Sequence, residues 1–221
     1  MNIARFTFNP IAENTYVVWD ETGEAAIIDA GGSTEAENRV LDNFLAERGL
    51  RPVLAVNTHG HFDHALGVPH LVERHGVPFA AHSADAFLLD NAAVSGEVFG
   101  VKVGPMPRID VDLAGLEEIR FGDTALKIIH TPGHTPGHVC LFEPASRVVF
   151  TGDTLFAGSI GRTDLPGGDY SWIMKSILEK LLPLGGDVRV YPGHGGDTTI
   201  AGEAAGNPFI TEIIEGDVHY K

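Results

Sequence analysis

The chain has 221 residues, 43% of them hydrophobic, with a formal net charge of −15. That size suits one domain, residues 1–221, with a core that can stand without disulfides, and the single Cys140 excludes an internal one. The acidic balance and the scattered Lys and Arg argue against nucleic acid as a partner. No apolar run approaches the roughly 20 residues of a membrane span, and Met1 to Phe6 lack the apolar stretch of a secretory leader, so the expected setting is the cytoplasm, away from membranes.

Tyr16 to Trp19 and Ala25 to Ile28 are apolar runs around the turn signal Glu21-Thr22-Gly23-Glu24, which predicts a β-hairpin. Thr34 and Glu37 have capping-box spacing and open a helix that runs to about Arg48 and stops at Gly49. Val53 to Val56 reads as a buried strand. A helix from Val68 to His75 ends at Gly76, Pro78 to Ala81 is a strand, and Ser83 caps a helix towards Asn91. Residues 94–114, rich in Gly, Pro and Val, read as an irregular loop. Hairpin strands follow at Leu116 to Phe121 and Ala125 to His130, then Gly137 to Phe142 and Arg147 to Phe150. A helix over Tyr170 to Leu182, a strand over Val188 to Tyr191 and a partly helical segment from Ile200 to Ile214 complete the chain. Two αβ halves, each with its own sheet, predict two mixed sheets face to face with helices outside, a four-layer αββα sandwich.

The chemistry gathers where four apolar strands exit. After Val56 comes Thr58-His59-Gly60-His61-Phe62-Asp63-His64, three imidazoles and a carboxylate in six residues. His59 and His61 share a side of an extended backbone, and His64 breaks the phase, which leaves room for a second ion. The strand to Ile129 leads to Thr131-Pro132-Gly133-His134-Thr135-Pro136-Gly137-His138, Phe150 to Thr151-Gly152-Asp153-Thr154, and Tyr191 to Pro192-Gly193-His194-Gly195. Imidazole and carboxylate together suit zinc, iron or manganese.

These motifs resemble the metallo-β-lactamase superfamily in its glyoxalase II-like branch, the short bacterial group similar to hydroxyacylglutathione hydrolases. Gly158-Ser159-Ile160-Gly161-Arg162-Thr163-Asp164 and Asn207-Pro208-Phe209 extend the likeness over nearly the whole chain. The resemblance implies the αββα fold and two divalent ions, zinc foremost. It places His59, His61 and His134 on one ion, Asp63, His64 and His194 on the other, and Asp153 between them. It also implies a hydrolase of a small-molecule thioester that uses a hydroxide shared by the metals, with Asp63 orienting it. The full-length family that the chain resembles carries an added C-terminal helical region with basic residues for glutathione. The residues after His194 here include one Lys, Lys221, and no Arg, which leaves both a glutathione thioester and a broader or smaller one open. The alternatives are a mononuclear-iron persulfide dioxygenase, or a lactonase, β-lactamase or phosphodiesterase on the same scaffold. Asp153 stands where many β-lactamases place cysteine.

Other residues have plainer readings. His70, His75, His82, His130, His138 and His219 are expected to be satisfied polar groups. Cys140 reads as a buried structural thiol, and Lys102 and Arg108 as solvated surface. Asp29 suits either a carboxylate behind a ligand histidine or a turn. Arg162 suits either a substrate carboxylate or a pairing with Asp164 or Asp169.

Overall fold

The computed structural model describes residues 1–214 and residue 216; His219 and Lys221 lie outside the described residues. Six strands form the first sheet: β1 (Asn2–Phe8), β2 (Glu13–Trp19), β3 (Glu24–Ile28), β4 (Arg51–Val56), β5 (Phe79–Ala81) and β6 (Val111–Asp112), in that spatial order. β1, β2 and β3 pair antiparallel, and β3 through β6 run parallel. The parallel part is linked by α1 (Glu35–Glu47) and α2 (Val68–His75), as parallel strands require. Two short helices, α3 (Ala86–Asp90) and α4 (Ala92–Val98), lie between β5 and β6.

A second sheet holds β7 (Glu118–Phe121), β8 (Thr124–His130), β9 (Val139–Glu143), β10 (Val148–Gly152), β13 (Arg189–Pro192) and β14 (Thr198–Thr199), with β10 and β13 parallel and the other pairs antiparallel. A small hairpin, β11 (Leu155–Phe156) and β12 (Ser159–Ile160), follows β10. The remaining helices are α5 (Tyr170–Ser176), α6 (Ile200–Gly206) and α7 (Pro208–Ile214).

Strand alternation builds the layers. Tyr16, Val18, Ala26, Ile28, Leu54 and Val56 face Phe121, Leu126, Val139, Leu141, Val148 and Phe150 across the gap between the sheets. The intervening residues Val17, Ala25, Ile27 and Ala55 turn outward onto Leu41, Leu45, Val68 and Leu71 of α1 and α2. On the far side, Cys140, Phe142, Val149 and Val190 meet Ile173, Met174, Ile177, Ile200 and Ile210. The four-layer αββα sandwich expected from the sequence is the architecture found. Thr34 caps α1 in a full capping box with Glu37. Burying Leu41 and Leu45 secures that helix by about 1.5–3 kcal/mol each.

Several elements differ from the sequence reading, which also omits the short strands β11, β12 and β14. β1 is a strand that the sequence reading omits, since it alternates only weakly along the sheet edge. The segment read as an irregular loop, 94–114, contains the end of α4 and all of β6. The helix starting at Tyr170, capped by the Asp169 side chain, loses α geometry after Ser176, and a wider π turn over Ile177–Leu181 and a tighter turn over Leu182–Leu184 finish it, the latter with Pro183 in its first turn. Among the described residues, no helix is long and apolar enough to cross a membrane.

Candidate metal centre

β4, β8, β10 and β13 all deliver their C-terminal ends to one rim of the sandwich. The loops leaving them bring His59, His61, Asp63, His64, His134, Asp153 and His194 together. Two glycines make this convergence possible. Gly152 turns the chain after β10 at φ 45, where a Cβ would stand 2.3 Å from Thr58 Oγ1. A Cβ on Gly193 would stand 2.3 Å from Asp153 Oδ1 and 2.6 Å from His64 Cε1.

The ring nitrogens face one another. His61 Nδ1 lies 3.1 Å from His59 Nε2 and 2.9 Å from His134 Nε2. The proton positions follow from the outer contacts. His134 Nδ1 lies 2.7 Å from the Arg162 carbonyl oxygen, which only accepts, so the proton is on Nδ1 and Nε2 presents a lone pair. Thr58 Oγ1 donates to Asp29 Oδ2 at 2.7 Å and therefore accepts from His59 Nδ1 at 3.0 Å, which leaves His59 Nε2 as a second lone pair. One proton on His61 Nδ1 can satisfy only one of them. The donor set thus fits a cation better than it fits itself.

A second group adjoins the first. His64 Nε2 lies 3.3 Å from His194 Nε2, and Asp63 Oδ2 lies 3.4 Å from His194 Nε2. Asp153 stands between the groups: Oδ2 is 3.6 Å from His134 Nε2 and 3.5 Å from His194 Nε2, and Oδ1 is 3.4 Å from His64 Nε2. That Oδ1 is buried without a hydrogen-bond partner, the state of an oxygen awaiting a cation. Behind His64, Nδ1 lies 3.1 Å from Asp29 Oδ2, at ion-pair distance though off the line of a hydrogen bond. Asp29 thus stands behind His64 and also makes a turn: it accepts from Thr58 N at 2.7 Å and its own backbone sits at φ 52.

Electrostatics sort the protonation states. Burial, then the neighbouring imidazoles, push His59 well below its ordinary range, and His61 falls to about 3 for the same reasons. Burial opposes ionisation of Asp63 and Asp153, but the attraction of His64 and His194 outweighs it and holds both carboxyls low. Neutral imidazoles at His59 and His61 and ionised carboxylates are the ligand forms that divalent ions need. Burial opposes a charge on His64 and His194, but the same carboxylates outweigh it and hold both above the ordinary imidazole range, so those two would release protons on binding an ion.

Two residues near the site, Asp85 and Glu13, carry no sequence signal of their own, and His138 does more than its sequence reading gives it. Asp85, wholly buried, accepts from Gly60 N at 2.9 Å, Thr135 Oγ1 at 2.6 Å and Gly137 N at 2.6 Å, and so ties the 59–64 loop to the 131–138 loop. His138 is a satisfied histidine as expected, yet its Nε2 accepts from Asp153 N at 3.1 Å and fixes the backbone of that residue. Glu13, buried at the start of β2, is pushed well above the ordinary carboxyl range by burial. Cys140 is buried and its thiol is pushed up to about 12 by burial, as a structural thiol should be. Arg162 pairs with Asp164 at 2.7 Å through two nitrogens, while Asp169 instead caps α5. Asn207 is buried and donates to the Ser159 carbonyl and to Glu203, which pins the β11–β12 hairpin beside the site.

Comparison with known proteins adds context to this geometry. The family model described as the metallo-beta-lactamase superfamily matches residues 9–194. Hydroxyacylglutathione hydrolase GloC of Haemophilus influenzae is 37% identical over 217 residues, covering 95% of this chain and 98% of that protein. Among solved structures, BLEG-1 B3 metallo-beta-lactamase superposes with a TM-score of 0.88 at 34% identity, covering 95% of this chain and 100% of its own. TTHA1623 in a di-iron-bound form does so with a TM-score of 0.83 at 39% identity, covering 93% of this chain and 99% of its own.

Proposed function

The chain belongs to the metallo-β-lactamase superfamily, and we propose that it is a dinuclear metal-dependent hydrolase of thioesters. The observation that carries this reading is His61 Nδ1 facing two imidazole nitrogens at 3.1 and 2.9 Å, with the Asp153 carboxylate reaching from that group to the next. When bound, two divalent ions supply a water of lowered pKa and a Lewis acid at the scissile carbonyl. His59, His61 and His134 would hold one ion, Asp63, His64 and His194 the other, and Asp153 both. Zinc is the metal we favour, and iron is the main competitor because the TTHA1623 structure is described as di-iron-bound.

The chain's own residues then have defined tasks. Asp63, ionised and on the cavity floor, accepts a hydrogen bond from the attacking water and orients it. The Asp29–Thr58–His59 relay and the Arg162 carbonyl keep the lone pairs of His59 and His134 pointed inward. A departing thiolate is a weak enough base to need no strong general acid. The identity to GloC over nearly the whole length supports a thioester, and the buried, unreactive Cys140 is compatible with a cytoplasmic setting.

The likeness to BLEG-1, described as a B3 metallo-beta-lactamase, favours β-lactam hydrolysis as the second reading. The test is a panel of thioesters and a chromogenic β-lactam, run with elemental analysis and oxygen uptake on persulfide. Thioester turnover with about two metal ions per chain is expected. Cleavage of the β-lactam alone, or one iron per chain with persulfide-dependent oxygen consumption, would overturn the proposal.

A further inference from the structure

We propose that the wall beside the metal centre is an acyl-chain site, so that the substrate is the thioester of an apolar carboxylic acid. This rests on the thioester reading and narrows it. A cavity of about 590 Å³ opens directly onto His61, Asp63, His134, Asp153 and His194, a volume in the range of small-molecule sites. Those five residues form its floor. The walls are apolar: Phe62, Phe87, Phe99, Phe156 and Ile160 line them, with Val98 at the mouth. Phe99 packs on Phe62, centroids 5.5 Å apart, immediately beside the ligand residues His61 and Asp63. At the mouth, Val98 is 80% exposed, Phe99 51% and Phe87 39%. Large apolar side chains gathered at one opening and left to water mark a binding surface.

Charge points the same way. Among the described residues, the one Lys or Arg side chain on the lining is Arg162, and Asp164 already holds its guanidinium through two hydrogen bonds of 2.7 Å. Asn91 and Ser95 are the uncharged polar members. A thiol bearing carboxylates would find no unpaired Lys or Arg among the described residues of these walls. The carbonyl carbon must stand over the floor, so one substituent enters the cavity and the other leaves through its mouth. A polar thiol carrier is better solvated outside, which gives the walls to the acyl chain.

The test uses the metal-loaded protein and straight-chain acyl thioesters from acetyl to octanoyl, on one neutral thiol and again on glutathione. On the neutral thiol, kcat/KM should climb by about threefold to fourfold per buried methylene until the cavity is full, mainly through KM. Exchanging the thiol at constant acyl group should change little. In Phe99→Ser, and independently in Phe87→Ser, the octanoyl-to-acetyl ratio should fall by roughly tenfold. A series that is flat or falls with length while thioesters are cleaved overturns this proposal and leaves the thioesterase reading intact. If no thioester is cleaved, that reading fails, and calorimetry with inert thioethers carrying the same chains decides the cavity: tighter binding of octyl than of ethyl supports an apolar-chain site, and equal binding refutes it.

Discussion

Among the described residues, the rim and the flank each gather histidine and aspartate, and the two clusters differ in which atoms meet. On the flank, Asp42 of α1 lies against His70 and His75 of α2. His70 Nε2 is 3.1 Å from both carboxylate oxygens, and His75 Nε2 is 2.7 Å from one. Every such contact is nitrogen to oxygen, a hydrogen bond complete in itself, and the side chains remain 20–27% exposed. On the rim, nitrogen faces nitrogen at His59, His61 and His134, and again at His64 and His194, and Asp153 Oδ1 is buried without a partner. Residue types alone would rank both as ligand clusters. The orientation of the lone pairs separates them: one cluster is satisfied by its own protons, and the other needs a cation.

Replacing the shared carboxylate is the most severe way to test that distinction. Asp153→Asn keeps the shape and removes the charge that reaches both groups. Thioester kcat/KM should fall on the order of a thousandfold, the scale of losing a principal charge-stabilising group, with metal content dropping in parallel. His70→Ala should leave both measurements where they are. Equal losses in the two variants would erase the difference between the clusters.

Metal removal gives the next largest effect. An ion that binds only the folded state stabilises it by about 2.7 kcal/mol at a hundred times its Kd, so a chelator should lower Tm by roughly 5–10 °C for a chain of this size. The shift should persist in His75→Ala and shrink in His59→Ala, which loses a proposed ligand of one of the two ions. A chelator shift that depended on His75 would move the metal to the flank.

Asp85 tests how the rim is assembled. Asp85→Ala leaves the Gly60 and Gly137 amides and the Thr135 hydroxyl without their acceptor. Metal affinity should weaken by about 10–100-fold, and Asp85→Asn, which keeps one acceptor oxygen, should recover part of it. Unchanged affinity in Asp85→Ala, followed by competition with a chromogenic chelator, would show that the two ligand loops hold their places without this tie.

Much of the rim was legible in the sequence because each proposed ligand follows shortly after an apolar run: Val56 before His59, Phe150 before Asp153, Tyr191 before His194. The sandwich was legible for a related reason, since Tyr16 to Trp19 and Ala25 to Ile28 alternate between its two interfaces. Asp85 was not, because its partners lie 25, 50 and 52 residues away and only the fold brings them near. His138 looked like any satisfied histidine until β9 and β10 placed it under the Asp153 amide. The α4 helix was hidden by Gly96 and by the exposed Val94 and Val98, which break the pattern of a helix with one buried face. Of these, Val98 borders the proposed acyl site, so the local signal failed where a ligand would complete the surface.

The smallest effect belongs to the flank and has a definite sign. Burial opposes ionisation of Asp42, but hydrogen bonds from His75 and His70 outweigh it and hold its carboxyl below the ordinary value of 3.8. A carboxyl depressed on folding adds stability above its unfolded pKa and loses that contribution as pH falls through the folded one. At pH 7, Asp42→Asn should therefore cost about 1 kcal/mol in urea unfolding of the metal-free protein. The difference from the parent should hold steady down to about pH 4 and shrink below it, as the parent's carboxylate is protonated. A difference that instead grew in acid would mean that the histidines, and not the carboxylate, carry the linkage. If added zinc enlarged the difference at pH 7, the flank would bind metal after all, and lone-pair orientation would not be a sufficient criterion.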